Sequence, residues 1–257
     1  MDFDDAFANA AYIPDGDLYP ERWLQAAQVF RDKTECVLDI AYGDTERQKL
    51  DLFFPHGTPK GLVVFVHGGY WLRFDKNYWS HFAAGPLAQG WAAAMPGYDL
   101  CPAVSITQIG QQIAKAITLA AARVEGPIRL AGHSAGGQLV ARVSNLPDKS
   151  DWQSRLEKIM PISPVADLAP MMHTKMNRDL AITDEEALRE SPIHQQPPNV
   201  PVSIWVGGDE RPVFLEQAEQ LAQAWGSEKV ILEGRHHFDI LDGLKESDSK
   251  LTVDLCR

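Results

Sequence analysis

The sequence predicts an α/β fold, a mostly parallel, doubly wound sheet with an antiparallel hairpin at its N-terminal edge. Three observations carry this. From about residue 61 onward, short apolar, β-branched runs alternate with stretches of helical periodicity, the pattern of repeated strand–helix units. Before them, residues 36–42 and 47–54 alternate or run apolar on either side of Gly43-Asp44, as a two-stranded hairpin does. At the centre, Ile128-Arg129-Leu130-Ala131 runs into Gly132-His133-Ser134-Ala135-Gly136 and an apolar, helix-compatible segment, so a strand meets a helix through a tight turn. A length of 257 residues suits a single domain over 1–257, and no repeat, low-complexity tract or linker divides it.

The elements follow in order. Residues 1–34 form a leader, in which Tyr19-Pro20 opens an amphipathic helix over about 19–30. That helix either packs on the edge of the domain or overhangs the site. After the hairpin, Leu62-Val63-Val64-Phe65-Val66 reads as a strand buried on both faces, ending in His67-Gly68-Gly69-Tyr70-Trp71. A helix is expected over about 78–89, a strand over 91–95, a long helix over 105–124 and a strand over 128–132. The helix after Ser134 should reach about Asn145, and residues 158–162 form the next strand. Residues 164–198 break the rhythm, being Pro- and Met-rich with helical pieces. They are expected to form a lid over the carboxyl ends of the strands, where open α/β sheets bind ligands. The alternation resumes with a strand at 202–206, a helix from about Pro212 to Trp225, a strand at 229–232 and a last helix after His237.

The turn at Ser134 has the form Gly-x-Ser-x-Gly. Side chains at 132 or 136 would collide with the neighbouring strand and helix, and the strained turn lifts the hydroxyl clear of the sheet. The plain alternative is a serine that merely caps a helix. A nucleophilic serine needs a base, and the base needs an orienting acid. In this architecture the chain order is serine, carboxylate, histidine. Asp209, just past the strand at 202–206, is the expected acid, with Glu210 its nearest rival and Asp167 the next. The alternative role for Asp209 is a cap on the following helix. The base is His236 or His237, both in the loop after the last strand. Oxyanion donors are expected in the loop after the 62–66 strand, from the backbone N–H groups of Gly68, Gly69 or Tyr70 together with that of Ala135. His67 reads as a structural residue bonding loop backbone.

Composition narrows the partners. A net charge of −11 argues against nucleic acid or an anionic membrane, since phosphates would be repelled. Cys36, Cys101 and Cys256 are odd in number and far apart, which suggests neither a disulfide framework nor a zinc site, and hence a reducing compartment. The acidic N-terminus is unlike a signal peptide, and no apolar run approaches membrane-spanning length, so a cytoplasmic location is expected. No cofactor or metal is implied, and the oligomeric state is open, a homodimer included.

The chain resembles the α/β-hydrolase superfamily, and within it the kynurenine formamidase (arylformamidase)-like esterases related to the hormone-sensitive-lipase group. The resemblance rests on His67-Gly68-Gly69-Tyr70-Trp71, Gly97-Tyr98-Asp99-Leu100-Cys101-Pro102, Gly132-His133-Ser134-Ala135-Gly136-Gly137, Ser163-Pro164-Val165-Ala166-Asp167-Leu168, Gly208-Asp209-Glu210 and His237-Phe238-Asp239-Ile240. It implies a metal-free serine hydrolase and selects His237 over His236, giving Ser134, Asp209 and His237 as the catalytic set. Where the family often has Gly after Ser163, this chain has Pro164, which bears on the lid and the substrate. Tyr70, Trp71, Met171 and Met172 are expected to line the substrate pocket, with Phe74, Tyr78, Trp79 and Met176 nearby; each has core packing as its alternative. The expected reaction is cleavage of a small ester or aryl formamide through an acyl-enzyme. Thioester or lactone hydrolysis on the same residues, or a non-catalytic relative that binds a small ligand, are the rivals.

Overall fold

The computed structural model describes residues 2–146 and 150–257, in which an eight-stranded sheet carries helices on both faces. In chain order the elements are α1 (Phe3–Ala6), α2 (Tyr19–Arg31), β1 (Cys36–Ala41), β2 (Lys49–Phe53), β3 (Leu62–Val66), α3 (Ala84–Ala88), β4 (Ala92–Pro96), α4 (Ile106–Ala121), β5 (Ile128–His133) and α5 (Ala135–Val143). They continue with β6 (Leu156–Ile162), α6 (Asn177–Leu180), α7 (Asp184–Glu190), β7 (Ser203–Gly207), α8 (Pro212–Trp225), β8 (Glu228–Leu232) and α9 (Lys250–Cys256). The sheet order is β1-β2-β4-β3-β5-β6-β7-β8. β1 pairs antiparallel with β2, and β2 with β4; every later pairing is parallel.

Side-chain alternation splits the central strands between two cores. Leu62, Val64 and Val66 of β3 and Ala92 and Ala94 of β4 join a core with the apolar faces of α4, α5 and α8. Val63, Phe65, Ala93 and Met95 point the other way, onto Trp23 of α2, Phe82 and Leu251 and Leu255 of α9. Strands buried on both faces become continuously apolar, which is why the period-2 signal vanishes there. Chemistry in the sequence also fixes the helix ends. Ser105 and Gln108 close α4 with reciprocal side-chain-to-backbone hydrogen bonds. Pro212 opens α8, and Gly226, at φ 59°, ends it.

Two expected helices are broken. Residues 76–83 form two 3₁₀ turns before α3, because Pro86 lacks an N–H to donate and is accommodated only in the first turn of a helix that begins at Ala84. The last helix is a 3₁₀ segment, Asp239–Lys245, followed by α9. The 164–198 segment holds α6, α7 and two 3₁₀ turns, and it packs on α4 and α5. There Gln138 donates to the Glu190 carbonyl at 2.8 Å, and Thr107 donates to Glu186 at 2.9 Å. Among the described residues, no helix is long and apolar enough to cross a membrane.

Candidate active site

The turn after β5 has the steric character its sequence demands. Ser134 sits at φ 56°, ψ −118°, a backbone conformation that a non-glycine residue holds only under constraint from its surroundings. A Cβ on Gly132 would lie 2.1 Å from the Gly136 carbonyl oxygen, and one on Gly136 would lie 2.0 Å from that of Val66. Neither contact is possible, so both glycines are obligatory. The Ser134 amide is held by the Ile162 carbonyl at 2.9 Å, which ties the turn to the end of β6. The Ser134 side chain does not cap α5, so the helix-capping alternative does not describe this serine.

The loop after β3 lies against it. A Cβ on Gly68 would be 2.9 Å from that of Ser134. Buried His67 is stacked between Tyr98, at 4.3 Å between ring centres, and Trp79, at 6.0 Å. Burial pushes its imidazole down to about 4, so it is neutral, and its Nδ1 lies 2.7 Å from the Gly68 carbonyl oxygen. The next carbonyl, of Gly69, accepts from the amides of Leu72 and Arg73 at 3.0 Å. Both carbonyls are thus occupied, while the N–H groups of Gly68, Gly69, Tyr70 and Ala135 donate to no backbone acceptor among the described residues. Gly69 at φ 116°, Tyr70 at 55° and Trp71 at 58° form a strained run, of the kind that only a tight surrounding holds. Its anchors are Tyr70 Oη donating to the Phe7 carbonyl at 2.7 Å and Trp71 Nε1 donating to Gln138 at 3.1 Å.

His237, buried in the loop after β8, has its Nδ1 2.6 Å from Glu210 Oε2. The carboxylate on the histidine is therefore that of Glu210, and the expectation of Asp209 is corrected. Asp209 is exposed at the tip of the turn after β7, its amide bonded to the Arg235 carbonyl. One residue further, the chain turns inward, and the longer Glu210 side chain reaches back beneath the strand end. There its Oε1 accepts from the Gly207 amide at 2.8 Å and from the Ser163 hydroxyl. Asp167, the other rival, accepts from the Ala169 amide and takes no part. His236 turns away: its Nε2 lies 3.2 Å from Tyr19 Oη, and its Nδ1 accepts from the amides of Phe238 and Asp239.

His133 was not singled out in the sequence, yet it links the Ser134 turn to the His237 loop. Its Nε2 lies 2.8 Å from the His237 carbonyl oxygen, with the two rings 4.5 Å apart. Burial holds this imidazole well below its usual range, so it is neutral and donates that proton. Phe214 closes the opposite side of His237 at 4.2 Å.

None of the four expected pocket residues lines the cavity beside His237, and Tyr70 packs against the core. Trp71 and Met171 are fully buried in the core, and with Met172 they lie outside the cavity beside His237. Phe74 and Trp79 pack on Trp23 of α2, and Tyr78 packs on Phe74. Cys101 is a buried small residue whose thiol burial pushes up to about 12. The cavity itself, about 200 Å³, is bounded by Glu210, Arg211, His236 and His237 on one side and by Asn9, Tyr12 and Ile13 of the leader on the other. No hydrophobic period marks those leader residues, so the sequence carried no signal for them. Among the described residues, no group of three or more His, Cys, Asp or Glu side chains is placed to hold a metal ion.

The chain has relatives among known proteins. Residues 109–253 match the family model described as serine hydrolase. The chain is 31% identical over 246 residues to a kynurenine formamidase of Salmo salar, covering 86% of this chain and 81% of that one. It is 47% identical over its whole length to a crystal structure from Silicibacter sp. TM1040 provisionally described as a thioesterase, with full coverage of both chains and a TM-score of 0.97. A Pyrobaculum calidifontis esterase shares the fold at 17% identity, with a TM-score of 0.71 over 93% of this chain and 92% of that one.

Proposed function

The chain belongs to the serine hydrolase family with the α/β-hydrolase fold, and from that premise we propose that it cleaves a small carboxylic ester or aryl formamide through an acyl-enzyme on Ser134. In this reading Ser134 Oγ attacks the carbonyl carbon while His237 Nε2 takes its proton. Glu210 holds Nδ1–H, fixing the tautomer in which Nε2 is free to accept, and it stabilises the imidazolium that forms. The tetrahedral oxyanion is received by the N–H groups of Gly68, Gly69 or Tyr70 together with that of Ala135. His237 then gives its proton to the leaving oxygen or nitrogen as the C–O or C–N bond breaks. A water, deprotonated by the same imidazole, hydrolyses the acyl-enzyme; a formyl group leaves as formate.

The observation that carries this reading is the Glu210–His237 hydrogen bond, buried and set beside a strained serine turn, with oxyanion donors left unpaired next to it. The formamide arm draws on the formamidase relatives, and the thioester alternative on the thioesterase description of the 47% identical structure. One assay separates them: turnover of N-formylkynurenine, aryl acetates to octanoates, and a short acyl thioester by the same preparation. N-formylkynurenine hydrolysis, with efficiency falling steeply as the acyl chain lengthens, is the expected outcome. Preference for the thioester over both other classes would sink it. Ser134→Ala should lose about 10⁴-fold or more in turnover of every substrate while keeping the fold, because the catalytic groups act as a unit.

A further inference from the structure

Ser163, directly after β6, holds a conformation that its residue type disfavours. Its φ is 48°, in the left-handed region where a Cβ is strained and glycine is free. It also precedes Pro164, which pushes the residue before it towards extended backbone. Its side chain is fully buried. Glycine would take up this backbone without strain, so the path of the chain gives no reason for a serine here. Strained residues of this kind persist where their surroundings impose them, and they cluster at functional sites. The Ser163 hydroxyl donates its hydrogen bond to Glu210 Oε1. The backbone around it touches the other parts of the site. The carbonyl of Ile162 holds the Ser134 amide at 2.9 Å, and the Ser163 amide donates to the Trp205 carbonyl of β7 at 2.7 Å. β7 ends at Gly207, whose amide is the second donor to Oε1, at 2.8 Å.

A glutamate needs more restraint than an aspartate to hold a histidine. Its carboxylate turns about one side-chain torsion more, and the last of them is soft. An Oε2 free to wander would leave His237 Nδ1 without a fixed acceptor, and the tautomer of the ring with it. One donor on Oε1 would let the carboxylate swing about that single bond. Two donors, set at the ends of neighbouring strands, fix its plane. We propose that Ser163 is a positioning residue for the base: its hydroxyl locks the Glu210 carboxylate so that Oε2 meets His237 Nδ1, and the strained backbone at 163 is what places that hydroxyl. The inference rests on the Ser134, His237 and Glu210 reading above and adds to it a fourth side chain, which acts through Glu210 and touches no substrate.

Ser163→Gly and Ser163→Ala both remove the hydroxyl, but only the glycine relieves the backbone. Ser163→Gly should therefore melt within a few degrees of the wild type, whereas Ser163→Ala keeps the strain and melts lower. In phenyl acetate hydrolysis both should lose about tenfold or more in kcat with KM little changed, as the loss of a hydrogen bond to a buried charged group implies. A serine kept only for the fold predicts the opposite for glycine, an undiminished kcat. The second readout is coupling. In a Glu210→Gln background, Ser163→Ala should cost little more, because the hydroxyl works only through that carboxylate. Wild-type kcat in either single variant, or the full loss repeated in the Glu210→Gln background, would overturn the proposal. Should one variant fail to fold, the other carries the comparison. Ser134→Ala, assayed alongside, separates the two readings. If it keeps its activity, the catalytic reading falls and the role of Ser163 with it. An inactive Ser134→Ala beside an unimpaired Ser163→Gly removes the role of Ser163 alone.

Discussion

Replacing Glu210 by Gln should disable the enzyme through a tautomer, and the local hydrogen bonds say which way the new amide will face. Glu210 Oε1 receives two donors, the Gly207 amide and the Ser163 hydroxyl, so in Glu210→Gln the amide oxygen belongs at that position. The NH₂ group then falls where Oε2 met His237 Nδ1. A donor there obliges Nδ1 to accept, which moves the ring proton to Nε2, and a protonated Nε2 cannot take the serine proton. Loss of the corresponding carboxylate in a serine–histidine–aspartate enzyme, with geometry preserved, lowers kcat by about 10⁴-fold. Against the ~1.4 kcal/mol of each tenfold step, that is about 5.5 kcal/mol of transition-state stabilisation. Asp209→Asn, at an exposed position with its side chain off the histidine, should stay within a few-fold of wild type. Hydrolysis of a short aryl ester by both variants, with thermal melts to verify folding, makes the comparison. A nearly active Glu210→Gln beside an inactive Asp209→Asn would refute the reasoning and return the acid to the turn tip.

Gly136→Ala should fail to fold or melt far below wild type, since its Cβ would stand 2.0 Å from backbone that is itself part of β3; an ordinary melt with normal activity would contradict the steric account. Stability should also fall in acid. Burial holds the imidazoles of His67 and His81 down to about 4, and that of His133 well below its usual 6.5. As pH drops below 6.5 the unfolded chain binds protons that the folded chain refuses, so the stability associated with these neutral side chains is lost progressively towards pH 4. Between pH 7.5 and 5.5 His67 and His81 each contribute a loss of roughly 1.3 kcal/mol, and His133 adds to it in the same direction, visible in urea unfolding as a falling midpoint. A midpoint unchanged across that interval would mean that these histidines are solvated.

The sequence discloses the parts of this site that sterics or burial dictate. Gly132 and Gly136 had to be small for the turn to exist, and β3, β5 and β7 had to be apolar on both faces, so the strands and Ser134 could be located from residue types alone. Choosing between Asp209 and Glu210 required the path of a turn, in which one residue points to water and the next points in. Two adjacent carboxylates carry no mark of that difference. Trp71 and Met171 could equally be core or pocket by composition, and packing of the 164–198 segment on α4 and α5 decided for the core. The leader was opaque for another reason. Phe7 and Asn9 meet Tyr70 through a backbone carbonyl and a single amide, contacts that leave no periodic trace.

The hydrogen bonds that assemble the site join positions far apart in the chain. Ser163 reaches Glu210 across 47 residues, His237 reaches Glu210 across 27, and His133 reaches the His237 carbonyl across 104. Each therefore waits on closure of a long loop, the slow and entropically costly class of event in folding. A chain that had paired β3, β4 and β5 but not yet laid down β8 would own a nucleophile without a base. In the proposed mechanism, activity thus waits on the part of the chain that carries β8 and His237, and Ser134 is idle until that part has folded onto the sheet.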